Sequence, residues 1–189
     1  ATAFGDLSLA SGNFSTAFGY STTASGLNST AFGLNTIASI DGATAFGNAT
    51  TASGTYSTAF GSSLLANGTS CSANLLPDTT ASGFDAVAFG TCTTASGDNS
   101  TAYGVATRAS GTNSTAFGNG SVASGLDSTA FGFYSTANAN YAIAFGSSSV
   151  ASGQNSVAFG DRNTASGRGA IAFGGQFALA SGDNSVAFG

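Results

Sequence analysis

The sequence predicts an all-β fold: a parallel β-roll, or β-solenoid, of about thirteen coils with two short strands in each. Three observations carry that reading. Ala-Phe-Gly stands at Ala3, Ala17, Ala31, Ala45 and Ala59 and again from Ala88 to Ala187, mostly fourteen residues apart, with Tyr for Phe after Ala102. Midway between these copies lies a second motif, Thr-Ala-Ser-Gly or a close variant, centred on Ala10, Ala24, Ala38, Ala52 and their successors. Gly also returns about every seventh residue, between β-branched and aromatic residues, which opposes a helix throughout.

Each fourteen-residue unit therefore reads as one flattened coil. Its first strand is Ser-Thr-Ala-Phe, as at Ser15-Thr16-Ala17-Phe18. Alternation puts Thr16 and Phe18 on one face and Ala17 on the other. The second strand is Thr-Ala-Ser, with Thr23 and Ser25 opposite Ala24. The Gly after each strand, Gly19 or Gly26, is expected to supply a left-handed turn. Asn or Asp follows in many copies, as in Gly97-Asp98-Asn99, and completes the turn chemistry. Coils of this kind stack as parallel strands about 4.8 Å apart. A solenoid grows by stacking, so 1–189 reads as a single repeat domain whatever its length. The chain begins and ends inside a repeat, and the expectation is a segment of a longer protein.

The central position of every strand is Ala, which predicts a thin interior that admits only methyl groups. The opposite arrangement, with Phe inside, would also bury Arg108 unpaired, so Phe is expected outside. The outer face of the first strand then carries one aromatic column: Phe4, Phe18, Phe32, Phe46, Phe60, Phe89, Tyr103, Phe117, Phe131, Phe145, Phe159, Phe173 and Phe188. At roughly 150–250 Å² per ring, its upper bound is some 2,000–3,000 Å², beyond what a monomer tolerates in one apolar patch. Its simplest cover is the same face of identical chains about a symmetry axis. The adjoining Thr column turns apolar at Ile143, Val157, Ile171 and Val186, as a buried interface would. These aromatic residues are the candidate oligomer interface.

Two stretches break the period, and irregular coils are expected around 62–80 and 174–179. In the first, Ala73 fills the one gap in the Ala-Phe-Gly series, but in the degenerate form Ala73-Asn74-Leu75, followed by one extra residue and the only Pro. The second carries one extra residue at Gly174-Gly175-Gln176-Phe177. Insertions in solenoids map to one edge, sometimes the binding edge; the ordinary reading is a tolerated surface bulge.

The units resemble the head repeats of trimeric autotransporter adhesins, the YadA-like family. That family's repeat is similar to Asn-Ser-Val-Ala-Ile-Gly followed by Ser-x-Ala-x-Gly. It appears here most closely as Asn155-Ser156-Val157-Ala158-Phe159-Gly160 and Asn184-Ser185-Val186-Ala187-Phe188-Gly189, with Val150-Ala151-Ser152-Gly153 in the second half. Phe stands where the family usually has Ile or Val. The resemblance implies a left-handed parallel β-roll, a homotrimer, an extracellular cell-surface location and adhesion to a host or matrix surface ligand.

Composition excludes several alternatives. Three basic residues against eight acidic ones give a net charge of -5, with no basic footprint for nucleic acid or for a membrane-surface helix. No apolar run approaches the roughly 18 residues of a membrane span, so no membrane insertion by this segment is expected. There is no His, Glu or Lys to serve as a base, so no catalytic residue and no cofactor is predicted. The Asp residues do not line up in adjacent coils, and no metal site is expected.

Cys71 and Cys92 are the only cysteines. They fall on opposite sides of a strand in successive coils, separated by roughly 13–16 Å, and no bond between them is expected. Sequons at Asn13, Asn28, Asn48, Asn67, Asn99, Asn113 and Asn119 are candidate glycosylation sites, expected at turns clear of the Phe face. Two other readings stand beside adhesion. One is a structural filament built of stacked rolls. The other is ice binding through Thr23, Thr51, Thr80, Thr94 and Thr164, a column that Leu9, Ile37 and Arg108 interrupt.

Overall fold

The computed structural model of the chain describes residues 1–62 and 78–189. Its regular elements are all β-strands, and among the described residues no helix is long and apolar enough to cross a membrane. The chain forms two compact units, Ala1–Ala106 and Thr107–Gly189.

In the first unit one parallel sheet consists of β1 (Thr2–Phe4), β3 (Thr16–Tyr20), β5 (Thr30–Leu34), β7 (Thr44–Asn48), β9 (Thr58–Ser62), β11 (Val87–Thr91) and β13 (Thr101–Val105). The facing sheet consists of β2 (Leu9–Ala10), β4 (Thr23–Ala24), β6 (Ile37–Ala38), β8 (Thr51–Ala52), β10 (Thr80–Ala81) and β12 (Thr94–Ala95). The second unit repeats the plan. β15 (Thr115–Asn119), β17 (Thr129–Phe133), β19 (Ile143–Ser147), β21 (Val157–Asp161), β23 (Ile171–Gln176) and β25 (Val186–Phe188) form one sheet there. Two-residue strands from β14 (Arg108–Ala109) to β24 (Leu179–Ala180) form the other. Within each unit a strand pairs in parallel with its equivalent one repeat later, so like lies on like: Thr16 on Thr30, Ala17 on Ala31, Phe18 on Phe32.

The interior is alanine, as the sequence predicts. Ala17, Ala24, Ala31 and Ala38 of the first unit are wholly buried, as are Ala116, Ala123, Ala130 and Ala137 of the second. Two polar columns share that interior, and periodicity alone did not reveal them: Ser15, Thr22, Ser29 and Thr36 are also buried. Some of their hydroxyls hold one coil to the next. Ser135 Oγ donates to the Gly146 carbonyl at 2.7 Å, and Ser149 Oγ to the Gly160 carbonyl at 2.8 Å. Buried hydroxyls bonded in this way avoid the desolvation penalty of an unpaired polar group.

The glycines act differently from expectation. Gly19 lies inside β3 at φ +135°, and a Cβ there would stand 1.9 Å from the Gly33 carbonyl oxygen. Gly26 has an ordinary φ, but a Cβ on it would meet the Ile40 carbonyl oxygen at 1.9 Å. Close approach of successive coils, more than turn geometry, excludes a side chain at both places. The left-handed residues come two positions later, at Ser21 (φ 54°) and Asn28 (φ 55°), where short polar side chains tolerate that conformation.

Ala52 pairs directly with Ala81, and Ala59 with Ala88. Among the described residues the solenoid has about twelve turns. At Gly61 the backbone sits at φ +148°, and a Cβ would lie 1.7 Å from the Gly90 carbonyl oxygen. The expected coil centred on Ala66 and Ala73, with Asn67 and Cys71, lies outside the described residues.

The expectation about the cysteines is also overturned. Cys92 is buried and disulfide-bonded, and Cys71 is the chain's only other cysteine. The expectation assumed a strand between them. Among the described residues β9 and β11 are direct neighbours, and the Cys92 amide donates to the Ser62 carbonyl at 3.1 Å. Cys92 thus stands beside Ser62, the last residue of β9.

The second irregularity, at 174–177, is a true bulge. Phe159 pairs with Phe173 and Gly160 with Gly174, but Asp161 pairs with Gln176, so one strand absorbs the extra residue Gly175.

Candidate functional site

The outer face of the five-residue strands gathers the aromatic side chains. Parallel in-register pairing sets identical residues one strand spacing apart, and that spacing suits stacked rings. In the first unit Phe18 stacks on Phe32 at 4.9 Å between centroids, Phe32 on Phe46 at 4.7 Å, and Phe46 on Phe60 at 4.8 Å. Phe60 continues onto Phe89 at 4.8 Å and Phe89 onto Tyr103 at 4.8 Å, within 4° of parallel. The column thus passes the interruption without a missing ring. In the second unit Phe117, Phe131, Phe145 and Phe159 stack at 4.7–4.8 Å. Beyond Phe159 the stack loosens: Phe173 lies at 5.1 Å, tilted 14°, and Phe188 turns edge-on at 70°.

Stacking hides most of each ring inside the columns from water, whereas the end rings Phe4 and Phe188 are largely exposed. Phe46, Phe60, Phe89, Phe117 and Phe131 are each 38% exposed. At roughly 200 Å² per side chain, the seven rings of the first unit leave on the order of 600 Å² uncovered, well below the upper bound from sequence. This is still at the top of what a monomer exposes in one patch. Thr16 and Thr30 flank the rings in the first unit; in the second the same column is apolar at Ile143, Val157 and Ile171. No charged side chain stands in either aromatic column, so burying it desolvates no ion. All the aromatic residues expected at the interface lie on this face of their own unit.

The remaining predicted residues fall elsewhere. Asn28, Asn99 and Asn113 are exposed left-handed turn residues, and Asn13 is an exposed turn residue. Asn48 and Asn119 end strands β7 and β15, two residues after Phe46 and Phe117. Several aspartates serve the turns: Asp41 Oδ1 accepts the Leu27 amide, Asp98 Oδ1 the Phe84 amide and Asp183 Oδ1 the Arg168 amide, each at 3.0 Å. Among the described residues no three acidic or sulfur ligands gather as a metal site would require.

Sequence reasoning missed Asn163. It is fully buried in a column otherwise made of Ser, Thr and Ala. Its Nδ2 donates to the carbonyls of Phe159 and Gly174 at 2.6 and 3.0 Å, and its Oδ1 accepts the Ala178 amide at 2.8 Å. These are the backbone groups around the bulge. A lone Asn opposite a one-residue insertion is a signal that the sequence does carry.

The family model for the YadA head domain repeat matches the chain in overlapping segments: 1–22, 10–36, 24–49, 38–63, 81–107, 95–121, 109–135, 123–149, 151–176 and 175–189. The matches leave out 64–80 and residue 150. No curated protein matches the chain.

Proposed function

The chain belongs to the YadA head-repeat family, and on that premise we propose that it is a non-enzymatic adhesive module of a cell surface, working as a homotrimer packed around its aromatic columns. The observation that carries the reading is the charge-free column of stacked rings in each unit, every ring more than a third exposed in the single chain. A specific interface covers about 800 Å² per partner. The rings with their flanking Thr, Val and Ile columns reach that size. The two-residue strands and the turns then remain outward, and repetition of the same surface in three chains raises avidity without any new contact. The family is one of structural adhesin repeats, not of enzymes.

Display of the chain on a bacterial surface tests this reading. Wild type is expected to confer adherence to immobilised matrix or host-cell surfaces. The triple variant Phe46→Ser, Phe60→Ser, Phe89→Ser is expected to lose it at equal display. Wild-type cells that adhere no better than undecorated cells would contradict the adhesive role.

A further inference from the structure

One corner of the second unit departs from the repeat on its outer side as well as within. The bulge at Gly175 sets Gln176 opposite Asp161, and the buried Asn163 holds this arrangement with three hydrogen bonds. A bulge supported by a dedicated side chain is a specified feature, and bulges of this kind re-aim side chains beside functional sites. Here they aim four. Gln176 Nε2 donates to Asp161 Oδ2 at 3.1 Å, and Arg162 Nε lies 4.0 Å from Asp161 Oδ1. The Arg162 guanidinium stands 5.3 Å from the centre of the Phe177 ring, which is 64% exposed. Arg162 and Phe177 occupy left-handed positions, φ 54° and 59°, that Gly or Asn would hold with less strain.

The same corner continues along the ladder. Phe133, Ser147, Asp161 and Gln176 follow one another on successive strands. Phe133 and the exposed Tyr134 meet edge to face at 4.5 Å. Between this pair and Asp161 only the small side chains of Ser147 and Ser148 intervene, over a span of roughly 10 Å.

We propose that this corner, walled by Tyr134 and Phe177 and lined by Asp161, Arg162 and Gln176, binds a neutral saccharide. A pyranose ring presents an apolar C–H face and a rim of hydroxyls that both donate and accept. Tyr134 and Phe177 match the first. The carboxylate of Asp161 and the amide of Gln176, already oriented by their mutual bond, match the second. Arg162 offsets the charge of Asp161, and the chain as a whole carries a net charge of -5, so an anionic sugar is disfavoured. The span from Tyr134 to Phe177 suits a short oligosaccharide more than a single ring. The proposal deepens the adhesive reading and rests on it for its purpose, since it names what the surface would hold.

The test is retention of the intact native protein on a printed array of neutral and sialylated oligosaccharides. Saturation-transfer NMR with methyl β-galactoside, methyl α-mannoside and N-acetylglucosamine complements it. Wild type is expected to bind neutral members of the array, and Phe177→Ala and Asp161→Asn to bind them at least tenfold more weakly. Phe14→Ala, which removes an exposed ring of the first unit, is expected to bind as wild type does. Binding of no neutral saccharide, equal binding by the Phe177 and Asp161 variants, or capture of peptides alone by this corner would overturn the proposal. If wild type adheres to surfaces but binds no saccharide, the site falls and the adhesive reading stands. If it binds saccharides but confers no adherence, the adhesive reading falls and the site stands.

Discussion

The two places where the period breaks behave in opposite ways. After Ser62 the sequence gains a stretch about as long as a full repeat, and the strands before and after it pair directly: Thr58 with Val87 and Ser62 with Thr91, in unbroken register. At Gly174 the chain gains one residue, and the ladder bends to keep it. The small residues at which successive coils touch set what a regular coil accepts. The stretch around Ala73 offers Asn74 and Leu75 where the regular repeat has a ring and a Gly. The single Gly175 disturbs no such station, and one buried Asn satisfies the backbone groups that it displaces.

That contrast is broken most severely by placing a leucine in a regular coil. Gly90→Leu reproduces Leu75 at a station where φ is +134° and a Cβ would stand 1.9 Å from the Gly104 carbonyl oxygen. The expected cost exceeds about 4 kcal/mol, seen as loss of the cooperative thermal transition of the first unit. A variant that melts like wild type would show that coil spacing yields more readily than the ladder implies.

Reduction of the disulfide at Cys92 comes next. Opening this bond is expected to lower stability by roughly 3 kcal/mol. The check is a thermal melt with and without reductant, together with an intact mass that falls short of the dithiol by two hydrogens. Alkylation of both cysteines in the unfolded chain without any reductant would contradict the bond.

A smaller effect sharpens the other half of the comparison. Asn163→Ala leaves the Ala178 amide without its partner and is expected to cost roughly 1–3 kcal/mol in chemical denaturation. Ser149→Ala, which removes a single hydroxyl bond in a regular coil, is expected to cost about 1 kcal/mol. Equal costs would mean that Asn163 does no more than its Ser and Thr counterparts. The smallest change is expected from deleting Gly175 together with Asn163→Ser. This restores the regular period and should leave stability within about 1 kcal/mol of wild type.

Much of the fold was legible in the residues. A fourteen-residue period with Ala at each strand centre specifies parallel stacking and a methyl-lined interior, because no larger side chain fits there and every other arrangement buries Arg108. Other features were not legible, for physical reasons. A Gly tolerated for its φ and a Gly required by a carbonyl 1.9 Å away look alike in sequence, so Gly26 was assigned to a turn. Buried Ser and polar turn Ser also look alike, which hid Ser15 and Ser29. The cysteine pair depended on which strands are neighbours, and spacing alone does not show that β9 pairs directly with β11. Of the candidate site, the identity and alignment of the rings were readable. Their mutual cover was not, since it depends on stacking within 5° of parallel in most of each column.

The central claim is that the aromatic columns are the core of a self-assembly, and native molecular mass tests it most directly. Light scattering on the purified chain is expected to give three times the 18.1 kDa of one chain, falling to a single chain in Phe46→Ser, Phe60→Ser, Phe89→Ser. A stable wild-type monomer would contradict it, because the rings would then stand open to water with nothing to cover them.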